Sequence, residues 1–195
     1  MRFNFNSGNI LKRKTRIYWL LPLYSLFMMG ACDSDPKAGP TARLEIFGTE
    51  QSNVKIDITA DDKTIPAPPP TTQVYPDDIT IKATGNQSGK NVASVILTIR
   101  SSEVKCYTWS DTTTWGTQPF SQPGNYGLVV LTETGKSGMI NYNLKEYAKQ
   151  FKCPSGYPMF EALVEVWVTV TNFADKKTET PHVKLKMKFD PSQLE

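Results

Sequence analysis

The sequence predicts an all-β protein, an antiparallel β-sandwich with one short helix in a long insert. Three observations predict it. Apolar and polar residues alternate at period two in several separate stretches, the signature of half-buried strands. Fourteen prolines, many threonines and scattered glycines favour strands and turns over helices. Helical 3.6-residue spacing over an apolar stripe occurs once, at Leu144, Tyr147, Ala148 and Phe151.

A leader precedes the strands. Arg2, Lys12, Arg13, Lys14 and Arg16 form a basic start without an acidic residue, and Ile17–Met29 is an apolar stretch of 13 residues. The small residues Gly30 and Ala31 follow, then Cys32. This is the layout of a secretory signal. The small pair before a cysteine resembles the lipobox of bacterial lipoproteins, with Met29 where Leu is commonest. The resemblance implies cleavage before Cys32, acylation of its thiol and new amine, and a membrane anchor through the N-terminal lipid. The alternative is an ordinary signal peptide or a membrane anchor. The apolar run is shorter than the roughly 20 residues of a spanning helix. Asp33 and Asp35, just after the cysteine, resemble an inner-membrane retention signal of enteric bacteria or a surface-export signal of Bacteroidota. The expected address is the bacterial cell envelope, lipid-anchored, with the outer membrane favoured and its face left open.

The expected organisation is therefore a signal peptide at 1–31, a polar tether at 32–42 and a single β-sandwich domain at 43–190. Five of the 22 Lys and Arg fall in the leader and none of the 19 acids do, so the mature chain carries 17 positive and 19 negative residues. Such a near-neutral body has no electrostatic footprint for nucleic acid. The 164 residues from Cys32 to Glu195 suit one domain with a proper core.

Leu44 and Ile46, then Val54, Ile56 and Ile58, alternate with polar residues and form an N-terminal hairpin within 43–60. Ile65-Pro66-Ala67-Pro68-Pro69-Pro70 is extended and rigid, which places a Pro-rich linker at 65–76. Ile79, Ile81 and Ala83 point one way; Ala93, Val95, Leu97 and Ile99 form the next inward set. Ala162, Val164, Val166, Val168 and Val170 face in, with Leu163, Glu165 and Trp167 out. Val183, Leu185, Met187 and Phe189 complete an antiparallel hairpin across the polar stretch Asn172–Thr180.

The segments Asp78–Gly85 and Val92–Ile99 resemble the second and third strands of bacterial immunoglobulin-like domains. Val164–Asp175 followed by Val183–Phe189 resembles their closing hairpin. The likeness implies an immunoglobulin-like sandwich and no particular activity. The disulfide and buried-tryptophan hallmark of antibody-type domains is missing.

Residues 101–160 are too long for one ordinary connection. They hold strand signals at Leu128–Thr132 and Met139–Tyr142. Asn143 is a candidate N-cap for the helix, with Glu146 completing a capping box, and the helix is expected to cap one end of the sandwich. Cys106 and Cys153 are an even pair in an exported chain, which predicts a disulfide. It closes a loop worth about 4 kcal/mol in chain entropy; two buried thiols are the alternative. Between them Tyr107, Trp109, Trp115, Phe120 and Tyr126 stand among small polar residues, a composition suited to an adaptable binding surface. These five are the candidate ligand-binding residues. The competing reading has some of the rings pinning the loop onto the sandwich.

Lys184, Lys186 and Lys188 form a positive stripe, read as edge protection. Binding of anionic lipid is its rival. With outward Trp167, expected to stack against these lysines, they form a candidate contact face. His182 is the only histidine, and no Gly-rich phosphate loop or calcium-loop spacing occurs. The expectation is no enzyme, no catalytic residues, no metal, no cofactor and no nucleic acid. The function expected is a lipid-anchored binding module contacting an envelope protein or glycan through the aromatic loop. The alternative is a structural lipoprotein subunit of an envelope, secretion or surface-organelle assembly.

Overall fold

The computed structural model describes residues 38–48, 51–87, 92–108, 120–131 and 138–190. They lie within one compact unit, Pro36–Glu195. The strands are β1 (Thr41–Gly48), β2 (Val54–Ala60), β3 (Thr72–Val74), β4 (Thr80–Asn86), β5 (Ser94–Tyr107), β6 (Phe120–Leu131), β7 (Met139–Asn143), β8 (Met159–Thr171), β9 (Lys177–Glu179) and β10 (Val183–Phe189). One helix, α1 (Leu144–Ala148), and a 3-10 turn, Pro76–Asp78, complete the described elements.

Two sheets form the all-β sandwich. One has the order β2-β1-β4-β7 and the other β3-β10-β8-β5-β6, with β9 also on β8. The rows β1-β4-β7 and β10-β8-β5 correspond to the A-B-E and G-F-C rows of an immunoglobulin-type sandwich. Every described pairing is antiparallel except β3 with β10, which is parallel. The Pro-rich run explains that exception. The chain leaves β2, crosses between sheets as rigid extended backbone, and docks Thr72–Val74 beside Leu185–Met187. β1 begins at Thr41, inside the stretch read as tether, and the three residues of β3 fall within the segment read as linker.

Alternation becomes burial as predicted. Leu44, Ile46, Ile79, Ile81, Ala83, Val95, Leu97, Ile99, the valines of β8 at 164, 166, 168 and 170 and the inward row of β10 are shut away from water. Each large aliphatic side chain buried this way contributes about 1.5–3 kcal/mol relative to exposure. Ala93 differs from its predicted inward place. It precedes β5, where its N–H bonds the Thr171 carbonyl, and Val92 is buried instead. Gly85 permits the close approach of the sheets: a Cβ there would lie 2.5 Å from Val95 Cγ2 and 2.8 Å from Val170 Cγ1.

The registers fix two poles. Thr41 opposes Asn86 in β4, and the Ala38 carbonyl takes bonds from Gln87 Nε2 and Asn172 Nδ2. The described chain thus enters beside the end of β8. α1, the 3-10 turn and the far end of β5 lie at the opposite pole. Leu144 N–H bonds the Ile79 carbonyl there, and Asp78 Oδ2 accepts from Gln51 and Ser52 in the β1–β2 turn.

Candidate functional site

The insert is built on an extension of β5. Regular alternation stops at Ser101, where the registers with both β6 and β8 shift by a bulge. Ser101 Oγ donates to the Glu103 carbonyl at 2.9 Å across the irregularity. Up to Ile99 the odd positions face in; past the bulge Val104 and Cys106 face in instead. A bulge adds one unpaired residue, so it turns the alternation over. β5 therefore runs on as a ribbon with β6 to Cys106 opposite Phe120, still paired on its other side with β8 as far as Tyr107 opposite Met159. Its 14 residues span roughly 45 Å. β6 carries Pro123 and Gly124 and sits at the sheet edge, the position that tolerates proline.

The helix and the chain after it cover the inner face of this extension. Asn143 Oδ1 accepts from Lys145 N–H at 2.8 Å, as expected of an N-cap, whereas Glu146 is engaged by Lys149 Nζ at 3.1 Å. Leu144, Tyr147, Ala148 and Phe151 are all buried. Phe151 meets Tyr126 and Tyr147 edge-on at 5.0 and 5.3 Å between ring centroids. Tyr147 Oη donates to the Tyr126 carbonyl at 2.5 Å. Burial pushes the Tyr147 phenol far above the ordinary tyrosine range, with the Ser101 backbone pulling the other way. Cys106 and Cys153 stand at disulfide distance, their Cα atoms 5.8 Å apart, which staples the ribbon to the segment after α1.

The predicted aromatic set separates. Tyr126 faces inward against Phe151 and serves packing. Tyr107 ends β5 and follows Lys105 on the outer face. Its phenol is pushed up first by burial and then by the charge of Glu161, with Lys186 opposing and Glu103 adding. Phe120 is placed by its backbone pairing with Cys106. Trp109 and Trp115 lie outside the described residues, as does Cys32.

The candidate contact face is organised differently from its prediction. Trp167 stacks on His182, centroids 4.1 Å apart and 11° from parallel, rather than on the lysines. His182 lies 3.7 Å from Glu165 and 3.4 Å from Glu179. Lys186 pairs with Glu161 at 3.1 Å and Lys184 lies 3.9 Å from Glu165. β10 is one strand in from the sheet edge, because β3 covers it at Leu185–Met187. The lysine stripe thus answers acids on β8 as well as flanking a short edge.

A feature not singled out in the sequence lies on the same face. Ser102, Glu103, Lys105, Glu161, Leu163 and Lys186 line a cleft of about 280 Å³ at the base of the ribbon. Leu163 is 49 % exposed at its wall. Glu103 accepts the Ser121 hydroxyl, and Glu161 holds Lys186. Both carboxylates are thus engaged. The legible signal was Leu163, an apolar residue on an outward register. Ser102, Glu103 and Lys105 were hidden by the change of phase. Among the described residues no three of His, Cys, Asp and Glu come together as a metal site.

Compared with known protein families, with curated proteins and with solved structures, the chain has no match.

Proposed function

We propose that this protein is a lipid-anchored, non-catalytic binding module of the bacterial cell envelope that contacts a glycan or a protein through the end of the β5–β6 ribbon. The observation that carries this reading is the ribbon's construction. It carries β5 past the bulge, between β6 and β8, at the pole opposite Ala38, and Cys106–Cys153 ties it to the segment after α1. A braced ribbon carries its ligand-contacting residues at lower entropic cost than a free loop. The leader with Cys32 supports anchoring through an N-terminal lipid.

The test is binding of the full chain to envelope extract and to a glycan array, with Trp109→Ala combined with Trp115→Ala. Loss of a bound species in the double variant is the expected result. Binding that survives moves the contact to the sandwich faces. Intact mass of the chain from its host, with and without Cys32→Ser, checks the acyl groups. An unmodified Cys32 overturns the anchor.

A second reading, a subunit of an envelope assembly, draws on β2. Its seven residues have one strand neighbour, β1, among the described residues, and they alternate apolar and polar side chains. An open, regular edge is a template for pairing with another chain. Stable co-purification with a membrane partner, unaffected by the tryptophan double variant, is the outcome that favours it.

A further inference from the structure

We infer that the cleft between Ser102, Glu103, Lys105, Glu161, Leu163 and Lys186 is a saccharide subsite, taking a ring of an uncharged glycan. The inference rests on the ribbon reading above and names the ligand class and the place of its first contact.

The walls carry two carboxylates and two ammonium groups, a formal sum of zero. Glu161 already holds Lys186 at 3.1 Å, and Glu103 accepts the Ser121 hydroxyl. An ionic ligand therefore meets walls of no net charge, with one of the two ammonium groups already paired to Glu161. A hydroxyl group suits such walls better. It donates to a carboxylate and accepts from an ammonium in the same geometry, leaving the Glu161–Lys186 pair in place. Leu163 supplies the one apolar contact, matched to the C–H face of a sugar ring. Tyr107, two residues beyond Lys105 on the same face and within the fields of Glu161, Lys186 and Glu103, extends that contact toward the ribbon's end.

Other ligand classes fit worse. An extended peptide that adds as a strand needs a free sheet edge. The cleft sits over β5, β8 and β10, and β5 and β8 have neighbours on both sides, so their backbone is already used. An apolar ligand meets one leucine among four charged groups. The volume, about 280 Å³, lies just under the roughly 300–1,000 Å³ of small-ligand pockets. That suits one ring of a longer chain, whose remainder follows the outer face toward Tyr107.

The experiment uses the full chain on an array of uncharged oligosaccharides, acidic oligosaccharides and peptides. It compares wild type with Leu163→Glu, Ser102→Glu, and Trp109→Ala combined with Trp115→Ala. Both cleft positions are solvent-facing, and thermal melting of each variant confirms the fold. Binding to an uncharged oligosaccharide that falls tenfold or more in Leu163→Glu or Ser102→Glu is the expected result. If such binding is unchanged in both cleft variants but lost in the tryptophan double variant, the subsite is overturned while the ribbon reading stands. Binding only to acidic oligosaccharides or peptides overturns the ligand class. Absence of binding to any probe overturns the inference, and the ribbon reading is then decided by the envelope-extract arm.

Discussion

The sandwich and the ribbon are made from the same strand β5, and they are held in different ways. Up to Ser101, β5 is a core strand whose Val95, Leu97 and Ile99 pack against the facing sheet. Beyond the bulge that facing sheet ends, and the second layer is supplied by α1, Phe151 and the Cys106–Cys153 link. The sandwich is secured by apolar area contributed from many places in the sequence. The ribbon shares its ladder with β8, and its inner face is secured by a few local devices: one disulfide, one ring cluster and one phenol bond. Local devices can be removed one at a time, so the two regions are separable by substitution.

The largest effect is expected from the staple. Cys106→Ser with Cys153→Ser should lower stability by about 4 kcal/mol, read from the denaturant midpoint. Amide exchange in β6 should quicken more than in β4 or β8. Uniform quickening would show that ribbon and sandwich are one cooperative unit. Leu97→Ala should cost about 2–5 kcal/mol by opening a cavity in the sandwich proper, with the disulfide unaffected. A cost below about 1 kcal/mol would mean the site collapses and would weaken the contrast.

Tyr147→Phe sharpens the ribbon side. It removes the bond to the Tyr126 carbonyl, at a cost of about 0.5–1.5 kcal/mol near neutral pH. The folded phenol is raised above its unfolded value, so its contribution is fully present below about pH 10 and is lost as pH rises through the folded value. The wild type and Tyr147→Phe should therefore converge in stability in strongly alkaline solution. A constant difference across pH 8 to 12 would remove the phenol from the account. The smallest effect belongs to the outer face of the other sheet. There Arg43 grips Asp57 at 2.8 and 2.6 Å and holds its carboxyl below the usual range. Both side chains are nearly half exposed, so Arg43→Met should cost no more than about 1 kcal/mol and vanish in 1 M salt. The Asp57 contribution is present above about pH 4, its unfolded value, and is lost as pH falls through its lowered folded value.

Legibility in the sequence follows the same division. Strands buried on a single phase were readable, because valines at every second position leave one reading of which face is core. The helix was readable from Leu144, Tyr147, Ala148 and the Asn143 cap, but it ends at Ala148, earlier than the stripe implied, and Phe151 packs from the segment after it. The extension of β5 was not readable, since Ser101 and Ser102 reverse the phase, and β6 was truncated in the reading by Pro123 and Gly124. β3 was hidden behind the proline run. The disulfide followed from counting cysteines, whereas the cleft depends on bringing β5, β8 and β10 together at a bulge. Outward Leu163 was the only local hint. Trp167 was correctly placed outside, but its partner His182 is two residues from the polar turn, and only the hairpin register sets the rings face to face.

The opposite placement of Ala38 and the ribbon end has a mechanical consequence. If the chain is held before Ala38 and pulled at the ribbon, tension runs along the strand axes. Ladder hydrogen bonds lie across those axes. The seven register pairs joining β1 to β4 would then share the load in shear instead of opening singly from one end. A tether so attached resists rupture more than the same domain pulled from two points on one pole.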